Sequence, residues 1–572
     1  MVSILINWLY MGIIVFLTGM AGMQGYLVLM KKIDKGSFNR EFGIGHVLFT
    51  GILGTTLYAQ IFSLFYRVSL EANLLWMGLL FFYLWTQRKF VHTTCKRWKS
   101  GIQTDKTVCI LFLILAIAAV LAFALCASGP AKQIDTDWYH AQTIRWIEEY
   151  GCVKGVANLF YALGFNNAQH YFDALFSMKW LWGQSLRGSG GFFGLVIFLH
   201  GLIRFLQWKK HKGHVADVLA LWEMVYSIIV TAFYTDPYVD TLPNILVMFI
   251  LTEWMAMLEE GKKETAWLGY YCLLAVFAVV CKTSVATIVF LTAYAVYELN
   301  RQKKAGQIPL FLGIGFLITL PYLITNVITT GYLVYLFSAL DLFNVKWKIN
   351  PEVLRYSVDN MVAFARMPSK PMEEALHCGL AWVIDWWQRE SVSHKLLYMG
   401  IVCMVVGDVF MTVLAWCKNK ALDVAMLWPR ICVYAGLVYW FFTIPQVKYC
   451  WAFLIFPLAV VPVYYFEKNK KNWFVRGLLG ISAGLLVLYA GFYGLRTAGY
   501  MWNGIRNNPL RQADYENHVF NTLTLNGHTF YTRIDNGDIV CGYYIFPYLD
   551  NKEDAERLVV PDNLREGFYF EN

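Results

Sequence analysis

The residues best suited to chemistry are aspartates and lysines at the ends of long apolar segments. Asp135 and Asp137 follow one such segment, Asp240 stands between two others, and Lys282 and Lys448 follow two more. An aspartate can take a proton from a hydroxyl group, and a lysine can balance the charge of a phosphate. If these side chains meet at one depth of a membrane, they form a site for phosphate and hydroxyl chemistry.

Each of these residues also has a simpler interpretation. Asp135 or Thr136 can act as a helix N-cap, and Asp137 suits the first turn of a helix because of the helix dipole. His140, taken alone, is more often an interfacial histidine than a base. Lysines at the ends of membrane spans commonly extend their charge to the interface. The sequence leaves both interpretations open for every one of these positions.

The elements that must position these residues are membrane helices. The chain has 572 residues, of which 58% are hydrophobic and 15% are charged, whereas soluble proteins are about 25% charged. Apolar runs recur at a length of about 17–25 residues, which excludes a secreted or cytosolic enzyme and a disordered protein. We expect an all-α polytopic membrane protein with about 14 spans. The predicted spans are 7–30, 43–66, 70–87, 107–128, 188–206, 215–234, 241–258, 265–281, 283–299, 307–328, 397–416, 424–443, 450–466 and 473–495.

Lysine and arginine are concentrated in every second connector between the predicted spans. Cytoplasmic loops are enriched in these residues, so the basic connectors are predicted to lie inside and both termini outside. The basic connectors are 31–42, 88–106, 207–214, 259–264, 300–306, 417–423 and 467–472. The net charge of +9 therefore describes orientation in the bilayer, and we predict no nucleic-acid partner.

Three long segments then fall on the outer side, at 129–187, 329–396 and 496–572. Long loops gathered on one face indicate that this face carries the function. We therefore divide the chain into a transmembrane domain, 1–495, and an extracytoplasmic C-terminal segment, 496–572.

The first long outer segment contains a predicted helix over 137–150, which Gly151 ends. Its aromatic residues Trp138, Tyr139, Trp146 and Tyr150 suit a helix lying at the membrane interface.

The C-terminal segment is polar and is predicted to fold as a small β meander. Asn526-Gly527 separates two extended runs, which is a strong hairpin signal because both turn positions favour positive φ. Asn536-Gly537 repeats that signal before a third extended run.

Motifs along most of the chain resemble those of an uncharacterised bacterial family of multi-pass membrane proteins. They are Asp135-Thr136-x-x-Tyr139-His140-x-Gln142, Trp146-Ile147-x-Glu149-Tyr150-Gly151, Gly155-x-x-Asn158-Leu159, Gly164-Phe165-Asn166, Pro237-x-x-Asp240-x-x-Pro243, Asn326-Val327-Ile328 with Gly331-Tyr332 and Lys346-Trp347-Lys348, Trp440-Phe441-Phe442-Thr443 with Pro445 and Lys448, and Leu564-Arg565-x-Gly567-Phe568. That family is similar in organisation to GT-C glycosyltransferases.

The chain departs from the expected motifs at three places. Leu333 and its neighbours stand where the family usually has a proline, and Lys448 stands where it usually has an arginine. An arginine would clamp a phosphate with two parallel hydrogen bonds, whereas lysine supplies charge alone. GT-C enzymes often carry two adjacent acids in the first outer loop, but Thr136 follows Asp135 here.

The resemblance implies a GT-C-like fold in the bacterial plasma membrane and a role in cell-envelope polysaccharide or glycan assembly. Such an enzyme moves a hexosyl or pentosyl group from a polyprenyl-phosphate donor to a glycan or lipid-linked acceptor outside the cytoplasm, with inversion. By matched position, Asp135 is the expected base, and Asp240 orients the acceptor or binds a metal. Lys282 and Lys448 are expected at the phosphate.

The resemblance assigns supporting roles to several other polar residues. Tyr139 and His140 would position the loop or the sugar, and Asp137, Asn158 and Asn166 would complete the substrate-binding set. Metal dependence stays open: Asp135, Asp137 and Asp240 would hold any Mg²⁺ or Mn²⁺.

Three other functions also fit the sequence: a flippase or transporter for lipid-linked polysaccharide precursors, a polymerase for such precursors, and a non-catalytic assembly factor. Acidic residues inside predicted spans, Glu223, Glu253 and Asp408, favour transport because intramembrane acids are usually functional. Against transport, the sequence shows no internal symmetry of the kind found in transporters.

Overall fold

The computed structural model describes residues 1–33, 41–102, 106–208, 214–261, 264–418, 423–468, 470–534, 541–550 and 555–571. Across these residues the chain is mostly helical, and eleven helices are long and apolar enough to cross a membrane. The chain is therefore a multi-pass membrane protein. Several residues of the basic connectors, among them Lys35, Arg40, Lys209, Lys210 and Lys212, lie outside the described residues.

Four helices precede the first long loop: α1 (Val2–Ile33), α2 (Ile44–Ser63), α3 (Leu70–Ile102) and α4 (Lys106–Ala127). The apolar part of α3 covers the predicted span 70–87, but α3, although long enough, is not apolar enough to be among the eleven helices. Glu71 and Asn73 lower its mean hydropathy, and its second half, beyond a kink at Gln87, is basic.

The first long loop is folded into short helices. A π-helical turn, Thr136–His140, leads directly into α5 (Ala141–Glu149), so the predicted helix over 137–150 is present. Two 3₁₀ turns, Val156–Asn158 and Tyr161–Gly164, then lead to α6 (Ala168–Phe176) and α7 (Lys179–Trp182). Isolated π-helical turns occur preferentially at functional sites.

The central part of the bundle consists of α8 (Ser189–Leu206), α9 (Val215–Phe233), α10 (Thr241–Glu259), α11 (Thr265–Cys281), α12 (Leu291–Arg301) and α13 (Ile308–Thr330). Helix α10 is buried from Thr241 to Met257, as expected for a helix that is hydrophobic on every face. It therefore lies at the centre of the bundle and positions the polar residues at its two ends.

The predicted span 283–299 is not one α-helix. The chain forms a 3₁₀ helix over Thr283–Phe290 and continues as α12. Val285, Thr287, Ile288 and Val289 are β-branched, and such residues lose side-chain freedom in an α-helix. Among the described residues eleven helices are candidate spans, whereas about 14 spans were expected. The three predicted spans without a counterpart are those of α3, of this 3₁₀ and α12 region, and of α11, which has 17 residues.

The second long loop carries three short helices, α14 (Pro351–Arg366), α15 (Met372–His377) and α16 (Trp382–Arg389). The bundle is completed by α17 (Val392–Cys417), α18 (Val424–Thr443), α19 (Trp451–Lys468) and α20 (Trp473–Asn507). Helix α20 extends beyond residue 495, where the predicted span ends.

The C-terminal segment forms two small sheets from β1 (Asn521–Leu525), β2 (His528–Thr532), β3 (Tyr548–Leu549), β4 (Leu558–Val559) and β5 (Tyr569–Phe570). The hairpin predicted at Asn526-Gly527 is confirmed, because β1 and β2 pair antiparallel and both turn residues have positive φ. The predicted meander is wrong: β3 pairs parallel to β2, while β4 and β5 form a separate antiparallel pair. Asn536-Gly537 lies outside the described residues.

The C-terminal segment packs directly on the first long loop. The Trp146 ring lies 4.7 Å from that of Phe546 and 5.7 Å from that of Phe568, between ring centroids. Tyr139 and Trp146 are buried in this aromatic cluster. The C-terminal segment therefore supplies the apolar surface that covers these two rings, and the position of the helix at the membrane interface stays a prediction.

The start of α8 supports the connector that leads into α10. A Cβ atom on Gly190 would lie 2.2 Å from the Asp236 carbonyl oxygen and 2.3 Å from that of Tyr234. The backbone N–H of Gly191 also donates to the Thr235 carbonyl at 3.2 Å. Residue 190 must therefore lack a side chain if the connector is to rest on α8.

We expect Gly190→Ala to destabilise the protein by about 1–3 kcal/mol, because the added methyl group forces backbone atoms apart. Thermal unfolding of the detergent-solubilised protein measures the effect. Gly494→Ala is the matched control, since no atom lies within 4 Å of the added Cβ, and it should change stability by no more than about 1 kcal/mol. Equal melting temperatures for the two variants would contradict the proposed packing.

Candidate functional site

Two aspartate–lysine pairs meet where α10 begins. The Asp135 carboxylate accepts a hydrogen bond from Lys448 Nζ at 2.7 Å, and the Asp240 carboxylate forms an ion pair with Lys282. These residues come from four separate connectors in the sequence. The structure thus brings together both predicted catalytic acids and both predicted phosphate-binding lysines.

The carboxylate of Asp135 does not act as a helix cap. Asp135 precedes the π-helical turn, but its side chain makes no capping hydrogen bond to that turn. Asp240 likewise precedes α10 without capping it. The simpler interpretation of Asp135 as an N-cap is therefore wrong.

Tyr449 joins the two ion pairs. Its ring centroid lies 4.2 Å from Lys282 Nζ and 5.2 Å from Lys448 Nζ. The Tyr238 ring lies 5.6 Å from Lys448 Nζ and stacks on Tyr234 at 4.7 Å. Aromatic faces attract cations, so these tyrosines hold the two ammonium groups close together. We call Asp135, Asp240, Lys282, Lys448 and Tyr449 the acid–lysine cluster.

The Asn244 side chain connects the two backbone segments that carry the cluster. Its amide group donates to the carbonyl oxygens of Asp240, at 2.8 Å, and Lys448, at 3.1 Å. Its own oxygen accepts from the backbone N–H of Ala452 at 2.9 Å. One buried amide therefore fixes the start of α10 against the start of α19.

The cluster is accessible on one side and buried on the other. The side chains of Asp135, Lys448 and Lys282 are 22%, 21% and 23% exposed, whereas that of Asp240 is 3% exposed. Burial lowers the pKa of Lys282, and the neighbouring Asp240 carboxylate opposes that shift. Burial also disfavours the charged form of Lys448, but Tyr449 and the two carboxylates more than offset it and raise its pKa. A ligand can thus reach three of the four charged groups.

A neutral histidine pair lies behind the cluster. His140 Nδ1 is 2.8 Å from His170 Nε2, and both rings are fully buried. Burial lowers the pKa of His140 and lowers the pKa of His170 to about 3, and the nearby Lys282 adds to both shifts. Both rings are therefore uncharged at neutral pH. Tyr139 packs against His140 at 4.1 Å between ring centroids, so these two residues support the loop that carries Asp135.

Asp137 lies apart from the cluster. Burial raises its pKa, and the Arg187 guanidinium partly offsets this shift. Arg187 is buried, stacks on the Tyr515 ring at 4.5 Å and donates to the carbonyl oxygens of Gly129 and Ala513. Asp137 thus faces the C-terminal segment, whereas Asp135 faces Lys448.

Asn158 and Asn166 connect loops to each other. The Asn158 amide donates to the carbonyl oxygens of Trp347 and Phe568, both at 3.0 Å. The Asn166 amide donates to the Tyr322 carbonyl at 3.1 Å and to the Thr325 hydroxyl at 2.6 Å. In this structure neither amide belongs to the acid–lysine cluster.

The arrangement of the acids bears on the possible metal. A metal held by Asp135 and Asp240 would have to displace two lysines, because each carboxylate is already neutralised by an ammonium group. Among the described residues, no group of three or more His, Cys, Asp or Glu side chains is placed to hold a metal ion. The cluster as it stands suits an anionic ligand, which can pair with the two lysines in place of the aspartates.

Sequence reasoning missed Tyr449, Asn244, His170 and Arg187. Two of them had a local signal: Tyr449 is adjacent to Lys448, and Asn244 stands four residues after Asp240, which places it on the same helix face. His170 and Arg187 are distant in sequence from the residues they face. Only the folding of the first loop brings them there.

A family of known sequences matches most of the chain. The profile of a family described as a domain of unknown function (DUF8201) matches residues 1–455. The match includes all five residues of the acid–lysine cluster and excludes the C-terminal segment. No curated protein and no solved structure shows a significant match to the chain.

The ion pair between Asp135 and Lys448 should couple the two residues energetically. We expect Asp135→Asn and Lys448→Met each to lower stability, and the double variant to lose about 1–2 kcal/mol less than the sum of the single losses, because both charges are removed together. Thermal unfolding of all four proteins measures this coupling. The exposed pair Arg67–Glu71 is the control and should give about 0.5 kcal/mol. Additive losses at Asp135 and Lys448 would contradict the pairing.

Asp173 on α6 should make stability depend on pH. It is 5% exposed, and burial raises its pKa to about 8, whereas an unfolded aspartate has a pKa of about 3.9. Between these values the unfolded chain releases the proton and the native protein keeps it, so stability falls as pH rises. Asp173→Asn should lessen this fall in melting temperature. Parallel pH profiles for wild type and variant would show that Asp173 does not contribute.

Proposed function

We propose that this chain, which belongs to the DUF8201 family, is an integral-membrane glycosyltransferase that uses a polyprenyl-phosphate sugar. The supporting observation is the convergence of Asp135 and Asp240 with two lysines at the start of α10. Such a reaction needs a base for an acceptor hydroxyl and cations for a leaving phosphate. The acid–lysine cluster offers both within one partly exposed group.

In the proposed reaction Asp135 is the general base. Its carboxylate takes the proton of an acceptor hydroxyl while that oxygen forms a bond to the anomeric carbon of the donor sugar. The bond between the anomeric carbon and the phosphate oxygen breaks, and the polyprenyl phosphate leaves with the electron pair. A single displacement of this kind inverts the configuration at the anomeric carbon.

The lysines would serve the leaving group. When a donor phosphate binds, Lys448 can turn from Asp135 towards the phosphate, because its side chain is 21% exposed. This exchange frees the Asp135 carboxylate to accept a proton. Lys282 and the Tyr449 ring keep positive charge close to the same place. Asp240, which is 3% exposed, would orient the acceptor or hold Lys282 in position.

The proposal includes a GT-C-like fold in the bacterial plasma membrane with both termini outside the cytoplasm. The two long loops and the C-terminal segment would then lie on the side where lipid-linked sugars are used in envelope assembly. The donor lipid would approach through the membrane helices that surround α10. The alternative of a chain-extending polymerase uses the same groups with a growing glycan as acceptor.

A transporter for lipid-linked precursors is the second candidate, and buried charges among the helices favour it. Glu223 and Glu253 both contact His200, and Asp408 forms an ion pair with Arg430. Polar groups of this kind often mark substrate or proton pathways. The two functions differ in outcome: a transferase consumes the donor, whereas a transporter moves it across the membrane unchanged.

Purified protein incubated with radiolabelled polyprenyl-phosphate hexose or pentose and a membrane glycolipid fraction should consume the donor. Asp135→Asn should reduce turnover by about 10²–10⁴-fold, because the base is lost, while Lys448→Met should chiefly raise KM for the donor. Asp385→Asn is the control; this aspartate pairs with Arg389 in α16 and its loss should leave turnover unchanged. Unreduced turnover in Asp135→Asn would remove Asp135 from the role of base, and donor movement without consumption would favour the transporter.

A further inference from the structure

The short helix α16 presents apolar side chains away from the protein. Ile384 is 66% exposed and Trp387 is 37% exposed, and Leu380, in the turn before the helix, is 68% exposed. Their spacing of four and three residues places them on one face. We call Leu380, Ile384 and Trp387 the apolar stripe. A contiguous apolar patch of this kind marks a site of contact with a partner or a membrane.

The opposite face of α16 holds the helix on the protein. Trp382 and Trp386 are buried, and their ring centroids lie 5.1 Å and 5.5 Å from that of Phe441 on α18. Trp386 Nε1 also donates to the Pro445 carbonyl oxygen at 2.8 Å. These contacts fix the rotation of the helix about its axis, so the apolar stripe faces outward in the folded protein.

The charged side chains of α16 lie away from the apolar stripe. Asp385 and Arg389 form an ion pair with each other at 2.7 Å, and Arg389 also donates to the Arg366 carbonyl oxygen at the end of α14. At 3.6 residues per turn, Asp385 and Arg389 lie about 100° and 140° around the helix from Ile384. The stripe therefore carries no charge that would oppose its entry into an apolar medium.

Helix α16 leads directly into a membrane span. Residues 390–391 alone separate it from α17, which is one of the eleven candidate spans. Exposed apolar side chains recur on one face of α17, at Val392, Met399, Val402 and Val406. In a membrane span, such a face lies against lipid acyl chains. The apolar stripe is thus next to a surface that lipid already covers.

A lysine of that span marks the level of the membrane boundary. Lys395 lies in the first turn of α17, and its Nζ donates to the Gln388 carbonyl oxygen at 3.2 Å and lies 5.9 Å from the Trp387 ring centroid. Its side chain therefore points back out of the span towards α16. Lysines at the ends of membrane helices extend in this way towards the lipid headgroups, and tryptophans are enriched at the same depth.

We propose that α16 lies in the bilayer interface and that lipid acyl chains cover its apolar stripe. Trp382 and Trp386 keep one face of the helix on the protein, while the stripe on the other face enters the lipid. A helix of this kind lies on the membrane without spanning it, and its binding depends on the apolar area that it removes from water.

The area of the apolar stripe argues against a second copy of the chain as its partner. A stable protein interface buries about 800 Å² on each partner. Even a large aromatic side chain contributes only about 150–250 Å², and the three side chains of the stripe are partly covered already. Lipid acyl chains need no such minimum, because they cover whatever apolar surface enters the bilayer.

The contact of α16 with lipid has a consequence for the acid–lysine cluster. Pro445, which accepts the hydrogen bond from Trp386, stands three residues before Lys448 in the connector between α18 and α19. A helix held in the bilayer interface thus keeps that connector near the lipid headgroups. The assignment of α16 does not rest on the proposed glycosyltransferase function, because it concerns only the contact with lipid.

Photo-crosslinking of the full-length protein in phosphatidylcholine nanodiscs tests the proposal. After illumination, Ile384→p-benzoylphenylalanine should form covalent lipid adducts, detected by mass spectrometry of the labelled peptide. Val402→p-benzoylphenylalanine, on the lipid face of α17, is the positive control and should give a similar yield. Thr524→p-benzoylphenylalanine, at an exposed position of β1 in the polar C-terminal segment, is the control for a surface in water and should give a severalfold lower yield.

A second position keeps the test independent of the packing of α16. Leu380 precedes the helix, so Leu380→p-benzoylphenylalanine leaves the buried tryptophans undisturbed and should also form lipid adducts. Size-exclusion chromatography identifies the folded variants. The proposal is overturned if folded variants at 380 and 384 form lipid adducts no more often than the variant at 524, or if they crosslink to a second copy of the chain in place of lipid.

Discussion

The pairing of buried ionisable groups at the two ends of α10 is the constraint on which the rest of the structure depends. Helix α10 is buried along almost its whole length. A charged group at either end therefore needs a partner of opposite sign or must change its protonation state. At its start Asp240 pairs with Lys282. Near its end Glu253 faces two histidines. The helices around α10 are therefore arranged to bring those partners to it.

The connectors at the acid–lysine cluster are positioned by contacts that carry no charge. Asn244 fixes the start of α10 against the start of α19, and the absence of a side chain at Gly190 lets the connector before α10 rest on α8. The loop that carries Asp135 is supported by buried aromatic residues and by the C-terminal segment. These uncharged contacts hold the two carboxylates and the two ammonium groups in position without adding charge to the site.

The separation of Asp135 from Asp137 follows from the local backbone. The two residues lie within and just before a π-helical turn, and they point to different surroundings, Lys448 for one and the neighbourhood of Arg187 for the other. Asp135 and Asp137, the expected ligands of any metal together with Asp240, are thus divided between the cluster and the C-terminal segment. This division favours Lys448 and Lys282 as the partners of an anionic ligand.

Hydropathy, charge and motif patterns were enough to predict a helical membrane protein, the positions of most helices and the residues of interest. Apolar length identifies membrane helices because the bilayer offers the backbone no hydrogen-bond partners, and the Asn526-Gly527 turn is read from two residues that tolerate positive φ. Which side chains meet is seen only in the folded chain. Asp135 and Lys448 are 313 residues apart, and neither Tyr449 between the lysines nor His200 between two glutamates follows from local spacing. Such contacts depend on how helices distant in sequence pack, and short-range patterns of hydropathy and charge do not record that packing.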